Sequence, residues 1–306
     1  MNDYQKLVDG IRDGDFRILA RVLTLIENEI EPALSLLKDL HINDIPVVGI
    51  TGPPGAGKST LVNQITNYYS ESNKKIAILA VDPTSPFNFG SLLGDRIRMA
   101  QQFNKPNVYI RSVATRGALG GVSVKTLEMI DVLKAANFDL IIVETVGVGQ
   151  SEVEIAGLAD KTLVVLVPES GDEIQNIKSG LMEIAQAFVV NKADRDGADT
   201  FANNLKKMVH HQSEDIPVFK TVAEKNEGID SLCNWIADVK VVNTQRKKLL
   251  MAEKAIRLIQ HHKMKSIDTK QLRHDINEAV LHSNFNIYKF VENWLKHSST
   301  LQFPRP

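Results

Sequence analysis

The chain has 306 residues, 43% hydrophobic and 24% charged, with a net charge of −1; this suits an ordinary soluble globular protein of one large domain with accessories, or of two domains. No apolar run approaches the roughly 20 residues needed to cross a bilayer, and the opening MNDYQKLVDGIRDGD is polar and mixed in charge, unlike a secretory signal. One cysteine, Cys233, cannot close an internal disulfide and suits a reducing compartment, so a cytoplasmic protein without membrane contact is expected.

Residues 3–40 read as helices. Asp15 is placed to cap FRILARVLTLIEN, in which Leu19, Val22, Leu23 and Ile26 form one apolar stripe, and Glu31-Pro32 suits the start of a short helix over ALSLLKDL. From residue 45 the pattern changes to short β-rich runs: VVGIT (47–51), KIAILAV (75–81), NVYIRSV (107–113), LIIVET (140–145), TLVVLV (162–167), AFVVN (187–191) and PVFKT (217–221). They are near-continuously apolar, as strands buried on both faces of a parallel sheet must be. Helical stretches such as STLVNQITNYYS, SVKTLEMIDVLKAA and ADTFANNLKKMVHH separate most of them, which predicts an α/β domain with right-handed crossovers. Cys233 lies in SLCNWIADV beside Trp235 and reads as a core thiol.

After about residue 238 the strand signals stop. Leu249, Ala252, Ile256 and Ile259, then Leu272, Ile276 and Ala279, then Ile287, Phe290 and Trp294 recur at helical spacing, so a helical extension is expected whose stripes need a surface to cover. Residues 240–306 carry thirteen Lys or Arg against five Asp or Glu, while the rest of the chain carries 23 against 32. With no nucleic-acid motif beside them, these scattered basic residues read as a solvated helical face, and no nucleic-acid partner is expected. The division predicted is an N-terminal helical segment (1–43), a P-loop domain (44–238) and a C-terminal helical extension (239–306).

The sharpest chemical signal is Gly52-Pro53-Pro54-Gly55-Ala56-Gly57-Lys58-Ser59, a match to G-x-x-x-x-G-K-[ST] lying between a predicted strand and a predicted helix. Glycines let successive N–H groups face an anion and the helix start adds positive potential. Lys58 is then expected on the β- and γ-phosphates and the Ser59 hydroxyl on Mg²⁺, with Thr60 next in the helix. The second signal is Asn191-Lys192-Ala193-Asp194 closing the strand AFVVN. A carboxylate only accepts hydrogen bonds; guanine offers it N1–H and the 2-amine, adenine neither, so Asp194 predicts guanine. Asn191 would hold the loop, the Lys192 stem would pack over the ring, and Thr221-Val222-Ala223 would close over the base with backbone N–H groups. The third signal is acidic. Glu144 ends LIIVE, with Gly147 at the D-x-x-G spacing, Asp82 ends IAILAVD and Asp95 follows in SLLGDRIRM. Carboxylates at two strand ends suit a hydrated magnesium ion, although Asp82-Pro83 also suits a plain turn and Asp95 a surface salt bridge. The histidine pairs His210-His211 and His261-His262 read as solvated residues on polar helices, since adjacent residues do not share a helix face.

GITGPPGAGKST, VDPTSPFNFGSLLGDRIRM, RSVATRGALGGVS, IIVETVGVGQSE, VPESGDEIQNIKSG and VVNKAD occur in this order, and GDFRILARVLTLIE precedes them. Together they resemble the MeaB/ArgK family, G-protein chaperones of adenosylcobalamin-dependent methylmalonyl-CoA mutase that include the methylmalonic aciduria type A proteins. The resemblance implies a P-loop GTPase that binds GTP or GDP with Mg²⁺, binds no cobalamin itself, forms a homodimer through its helical tail, and gates cofactor loading and protection of a methylmalonyl-CoA mutase or related mutase. It implies that Asp82 and Asp95 belong to a first switch segment and that Glu144 starts a second. Gly171 to Lys178 would form a third segment facing the partner, with Lys178 acting on the nucleotide when the partner docks. Gln150 and Glu152 lie where the attacking water would be oriented. Two departures stand out: Thr221-Val222-Ala223 replaces T-S-A, and Ala118 follows Arg116-Gly117 where a bulkier residue is usual. A rival expectation is a kinase or ATPase tied to arginine/ornithine-type transport. A nickel- or zinc-inserting GTPase would need Cys/His relay motifs that the chain lacks.

Overall fold

In a computed structural model, the residues described are 3–28, 30, 32–82, 99–114, 124–145, 155–171, 181–210, 216–238, 252, 255–256, 258–260, 262–264, 267–281 and 285–298. The chain divides into two compact units, Met1–Lys254 and Ala255–Pro306.

The larger unit is built on seven parallel strands: β1 (Val47–Thr51), β2 (Ile76–Asp82), β3 (Val108–Ala114), β4 (Leu140–Thr145), β5 (Lys161–Leu166), β6 (Ala187–Val190) and β7 (Val218–Lys220). Their order is β3-β2-β4-β1-β5-β6-β7, and each adjacent pair runs parallel. The seven apolar runs of the sequence are these strands, shifted by a residue or two at several ends; β7, paired only with β6, is the shortest. Because all strands run one way, the loops that follow β1, β4, β6 and β7 open along one edge of the sheet. β1 lies between β4 and β5, where the strand order reverses and a crevice is expected in an open parallel sheet.

Alternate residues of each strand feed different clusters. Val48 and Ile50 of β1, Ile76 and Ile78 of β2, and Leu140 and Ile142 of β4 pack with Leu61, Val62 and Ile65 of α4 (Lys58–Glu71) and with Leu232 and Ile236 of α8 (Ile229–Ala237). Glu144 has the same parity as Leu140 and Ile142, which puts it on the face that carries α4. On the opposite face, Ala77, Leu79, Ile141 and Val143 pack with α5 (Val124–Ala135) and with α1 (Asp3–Asp13), α2 (Phe16–Glu27) and α3 (Ala33–Asp39). Val164, Phe188 and Val190 are covered by α6 (Leu181–Ile184) and α7 (Ala198–His210). The cap expected at Asp15 is present: its carboxylate accepts from the N–H groups of Arg17 and Ile18. Leu19, Val22, Leu23 and Ile26 are all buried, each worth about 1.5–3 kcal/mol of apolar transfer. Glu27 adds an ion pair to Arg111 of β3 at 2.6 Å, largely out of solvent. Cys233 is a buried core thiol, as expected.

The smaller unit contains α9 (Thr269–Val280) and α10 (Ile287–Ser298). Asp268 caps α9, Trp294 Nε1 donates to Asp275 at 3.0 Å, and the stripe residues Leu272, Ile276, Ala279, Phe290 and Trp294 are half-buried. Among the described residues no helix is long and apolar enough to cross a membrane.

Candidate functional site

The chain leaves β1 at Thr51 and turns sharply at Gly52, where φ is +142° and an added Cβ would lie 2.0 Å from the carbonyl oxygen of Val165. No residue with a side chain fits there. The loop ends at Gly57 in left-handed conformation, φ +85°, and a Cβ there would meet Asn191 Nδ2 at 2.4 Å. α4 then starts at Lys58 with no side-chain cap, so its first-turn N–H groups, which lack intrahelical partners, are available to an anion. Lys58 is nearly buried and its Nζ donates to Gly52 O at 2.8 Å and Pro53 O at 3.0 Å, which holds a positive charge on the loop.

Register brings a strand-end carboxylate to the phosphate loop. Glu144 of β4 pairs with Ile50 of β1 and Ala80 of β2, one residue short of the phosphate loop. Its Oε1 accepts from the Ser59 hydroxyl at 2.7 Å. Both side chains are buried. Beside them Thr145 Oγ1 donates to Thr51 Oγ1 at 3.0 Å. A hydroxyl and a carboxylate in contact form an all-oxygen donor set of the kind a hard divalent cation takes. Among the described residues no group of three or more His, Cys, Asp or Glu is arranged to hold a metal ion. Asp82 ends β2 by its backbone; its side chain and all of Asp95, Gln150, Glu152 and Lys178 lie outside the described residues.

Asn191 joins three segments. Its Nδ2 donates to Ala56 O of the phosphate loop at 2.9 Å, and its Oδ1 accepts from Thr221 Oγ1 and from Ala223 N, each at 3.1 Å. The amide is 2% exposed, so every one of these bonds is shielded from water. Lys192 has φ +56° and its Nζ reaches back to Gly55 O at 2.8 Å. Ala193 N donates to Thr221 O at 3.0 Å. Between these segments lies a cavity of about 190 Å³, bounded by Gly57 and Thr60 on one side, Lys192 and Asp194 on another, and Val222 and Ala223 on a third. The phosphate loop, the N-K-x-D loop and the T-V-A loop thus meet around one hollow, although 135 residues separate Ala56 from Asn191.

Three residues at this hollow carry no motif. Arg195 and Glu224 line it; Arg195 is ion-paired to Glu169, which lies in the 3-10 turn Pro168–Gly171 after β5. Lys225 Nζ lies 2.9 Å from Asp194 Oδ2, and that hydrogen bond holds the Asp194 carboxyl below the usual aspartate range. The only hint in the sequence is that each sits one or two residues beyond a motif.

The family model described as methylmalonyl-CoA mutase-associated GTPase MeaB matches residues 19–284. A homologue from Pyrococcus abyssi is 45% identical over 242 residues, covering 76% of this chain and 75% of its own length. GTPase ArgK of Escherichia coli is 36% identical over 253 residues, with 78% and 76% covered, and the mouse methylmalonic aciduria type A homolog is 38% identical over 207 residues, with 62% and 50% covered. A crystal structure of a LAO/AO transport system kinase is similar with a TM-score of 0.68 at 25% identity, covering all of this chain and 95% of that one. With a phosphate loop, a guanine-type loop and a strand-end carboxylate on one edge of a parallel sheet, and a family model matched from the N-terminal helices to α9, the chain belongs to the MeaB family of methylmalonyl-CoA mutase-associated GTPases.

Proposed function

We propose that this GTPase holds the triphosphate of GTP in the 52–59 loop and its base against Asp194, and that hydrolysis gates cofactor loading and protection of an adenosylcobalamin-dependent methylmalonyl-CoA mutase or a related acyl-CoA mutase in the cytoplasm. The observation that carries this reading is the Asn191 amide: by bonding Ala56, Thr221 and Ala223 at once, it makes the phosphate loop and the base loops a single preorganised frame. Such a frame positions the nucleotide without a reorganisation cost at the moment of reaction. Lys58 neutralises charge on the β- and γ-phosphates. Mg²⁺ would supply positive charge against the phosphates as they react; Ser59 would be its protein ligand, with Glu144, whose carboxylate accepts from the Ser59 hydroxyl, Asp82 and Asp95 as further candidates. Lys192 packs along the purine while its Nζ stays on Gly55. Gln150 is the candidate for orienting water, and Lys178 for acting on the nucleotide once the mutase docks. The mutase assignment rests on membership of a family of methylmalonyl-CoA mutase-associated GTPases.

The C-terminal helices are proposed to mediate self-association. Leu281, Tyr288 and Leu295 are exposed on that unit, and sedimentation at micromolar concentration is expected to give a dimer. The test of the switch is steady-state GTP hydrolysis with and without the mutase of the same cell. Slow turnover that the mutase accelerates is expected; fast turnover indifferent to it would overturn the reading. The similarity to a LAO/AO transport system kinase raises a second reading, phosphoryl transfer to an acceptor, which requires labelled γ-phosphate to appear on an amino acid or a protein rather than as inorganic phosphate.

A further inference from the structure

We propose that Lys225 is a positioning residue that fixes the Asp194 carboxylate for guanine and thereby sets base selectivity. The proposal deepens the reading of Asp194 as the base-recognising group and rests on it.

A carboxylate that must take two parallel hydrogen bonds, from N1–H and from the 2-amine, discriminates only if its plane is fixed. Asp194 is a surface residue at the rim of the cavity, with 41% of its side chain exposed, so packing alone does not fix it. Its own backbone N–H also hydrogen-bonds the carboxylate, but the neighbouring side chains that could hold it are otherwise engaged. Asn191 spends its amide on Ala56, Thr221 and Ala223, Lys192 is on Gly55, and Arg195 is on Glu169. In the T-V-A loop the hydroxyl of Thr221 goes to Asn191, and the next side chain, Val222, is buried and apolar. It has no donor to offer. Lys225 is the side chain that hydrogen-bonds Asp194, 2.9 Å from Oδ2.

The backbone presents Lys225 to that point. Lys225 N donates to Val222 O at 2.9 Å, and Val222 and Glu227 exchange N–H···O bonds at 3.1 and 3.2 Å. Asn226 takes the left-handed conformation, φ +59°, which an Asn tolerates better than most residues. The turn 222–227 is thereby closed on itself, with its last 3-10 residue directed at Asp194. A carboxylate has about four lone-pair sites. Lys225 takes one of those on Oδ2 and the backbone N–H of Asp194 another, which leaves about two for the donors of a base.

The test uses the full chain and measures equilibrium binding of GDP, IDP and XDP to wild type, Lys225→Met and Lys225→Arg. IDP lacks the 2-amine, so the GDP-to-IDP affinity ratio reads the bidentate contact, whereas all three ligands share the phosphate contacts. Wild type is expected to prefer GDP over both. Lys225→Met is expected to lower the GDP-to-IDP ratio about five- to tenfold, less than the full worth of a hydrogen bond to a charged group because the contact to the base is misaligned rather than removed, and Lys225→Arg to restore most of it. A ratio unchanged in Lys225→Met, or equal weakening of GDP and IDP, overturns the positioning role while leaving Asp194 as the base reader. A wild type that binds GDP, IDP and XDP alike overturns the reading of Asp194 and this proposal with it.

Discussion

Asn191→Asp keeps the shape of the side chain that ties the site together and changes one hydrogen bond. Oδ1 still accepts from Thr221 Oγ1 and Ala223 N, but the donor to Ala56 O becomes an oxygen facing an oxygen 2.9 Å away. At 2% exposure no water relieves that contact. The fold can keep its geometry only by protonating the new carboxyl, whose O–H then donates to Ala56 O. Holding an aspartic acid protonated at pH 7, about three units above its ordinary pKa of ~3.9, costs about 4 kcal/mol at ~1.36 kcal/mol per unit, and at pH 5 about 1.5 kcal/mol. Burial and the facing carbonyl raise the folded-state pKa. The carboxyl's favourable contribution is therefore complete below its unfolded value and is lost as pH rises toward the folded one. Urea unfolding of the variant against wild type is expected to show a deficit growing from about 1.5 kcal/mol at pH 5 to about 4 kcal/mol at pH 7, a large part of an ordinary domain's stability. Asn191→Ala, which has nothing to titrate, is the control; its deficit stays flat. An Asn191→Asp deficit equal at both pH values would refute the claim that Asn191 Nδ2 is a buried donor holding the phosphate loop.

The remaining predictions probe other joints of the structure. Asp194→Asn is expected to shift preference from guanosine to xanthosine nucleotides by at least about tenfold in competition binding, because the amide donates where the carboxylate accepted. Gly52→Ala places a methyl 2.0 Å from Val165 O and is expected to abolish GDP binding in calorimetry and lower the melting temperature, since neither backbone can yield. Glu27→Gln removes the charge facing Arg111 in a pair only 15–19% exposed; a loss of about 1–3 kcal/mol is expected in denaturant titration. Burial pushes the Cys233 thiol up to about 12, so a disulfide reagent at pH 8 should leave the native chain unmodified and titrate one thiol per chain after unfolding.

What the sequence disclosed depended on how far each residue's role is fixed by its covalent neighbours. The 52–59 loop was legible because the motif carries its own glycines; the structure adds why Gly52 and Gly57 cannot be replaced, against Val165 O and Asn191 Nδ2. The strands were legible because burial on both faces of a parallel sheet leaves no alternation to misread, and the Asp15 cap because its partners are two and three residues away. Glu144 was legible as a strand-end carboxylate, but its contact with Ser59, 85 residues earlier, follows from the register of β4 on β1.

Lys225 and Arg195 were not legible, since a lysine 31 residues from an aspartate or an arginine 26 residues from a glutamate is indistinguishable in sequence from any solvated charge. Only the order β5-β6-β7 sets the turns after those strands side by side. Each of these ion pairs spans two such turns: Glu169 follows β5, Asp194 and Arg195 follow β6, and Lys225 follows β7. A change that shifts β7 against β6 would therefore break the Lys225–Asp194 pair and the Thr221–Asn191 bond together while leaving the phosphate loop on β1 in place. The turns that carry Asp194 and Lys225 thus depend on the register of an edge strand three residues long, whereas the 52–59 loop follows a central strand bonded on both sides and meets those turns through the Asn191 amide.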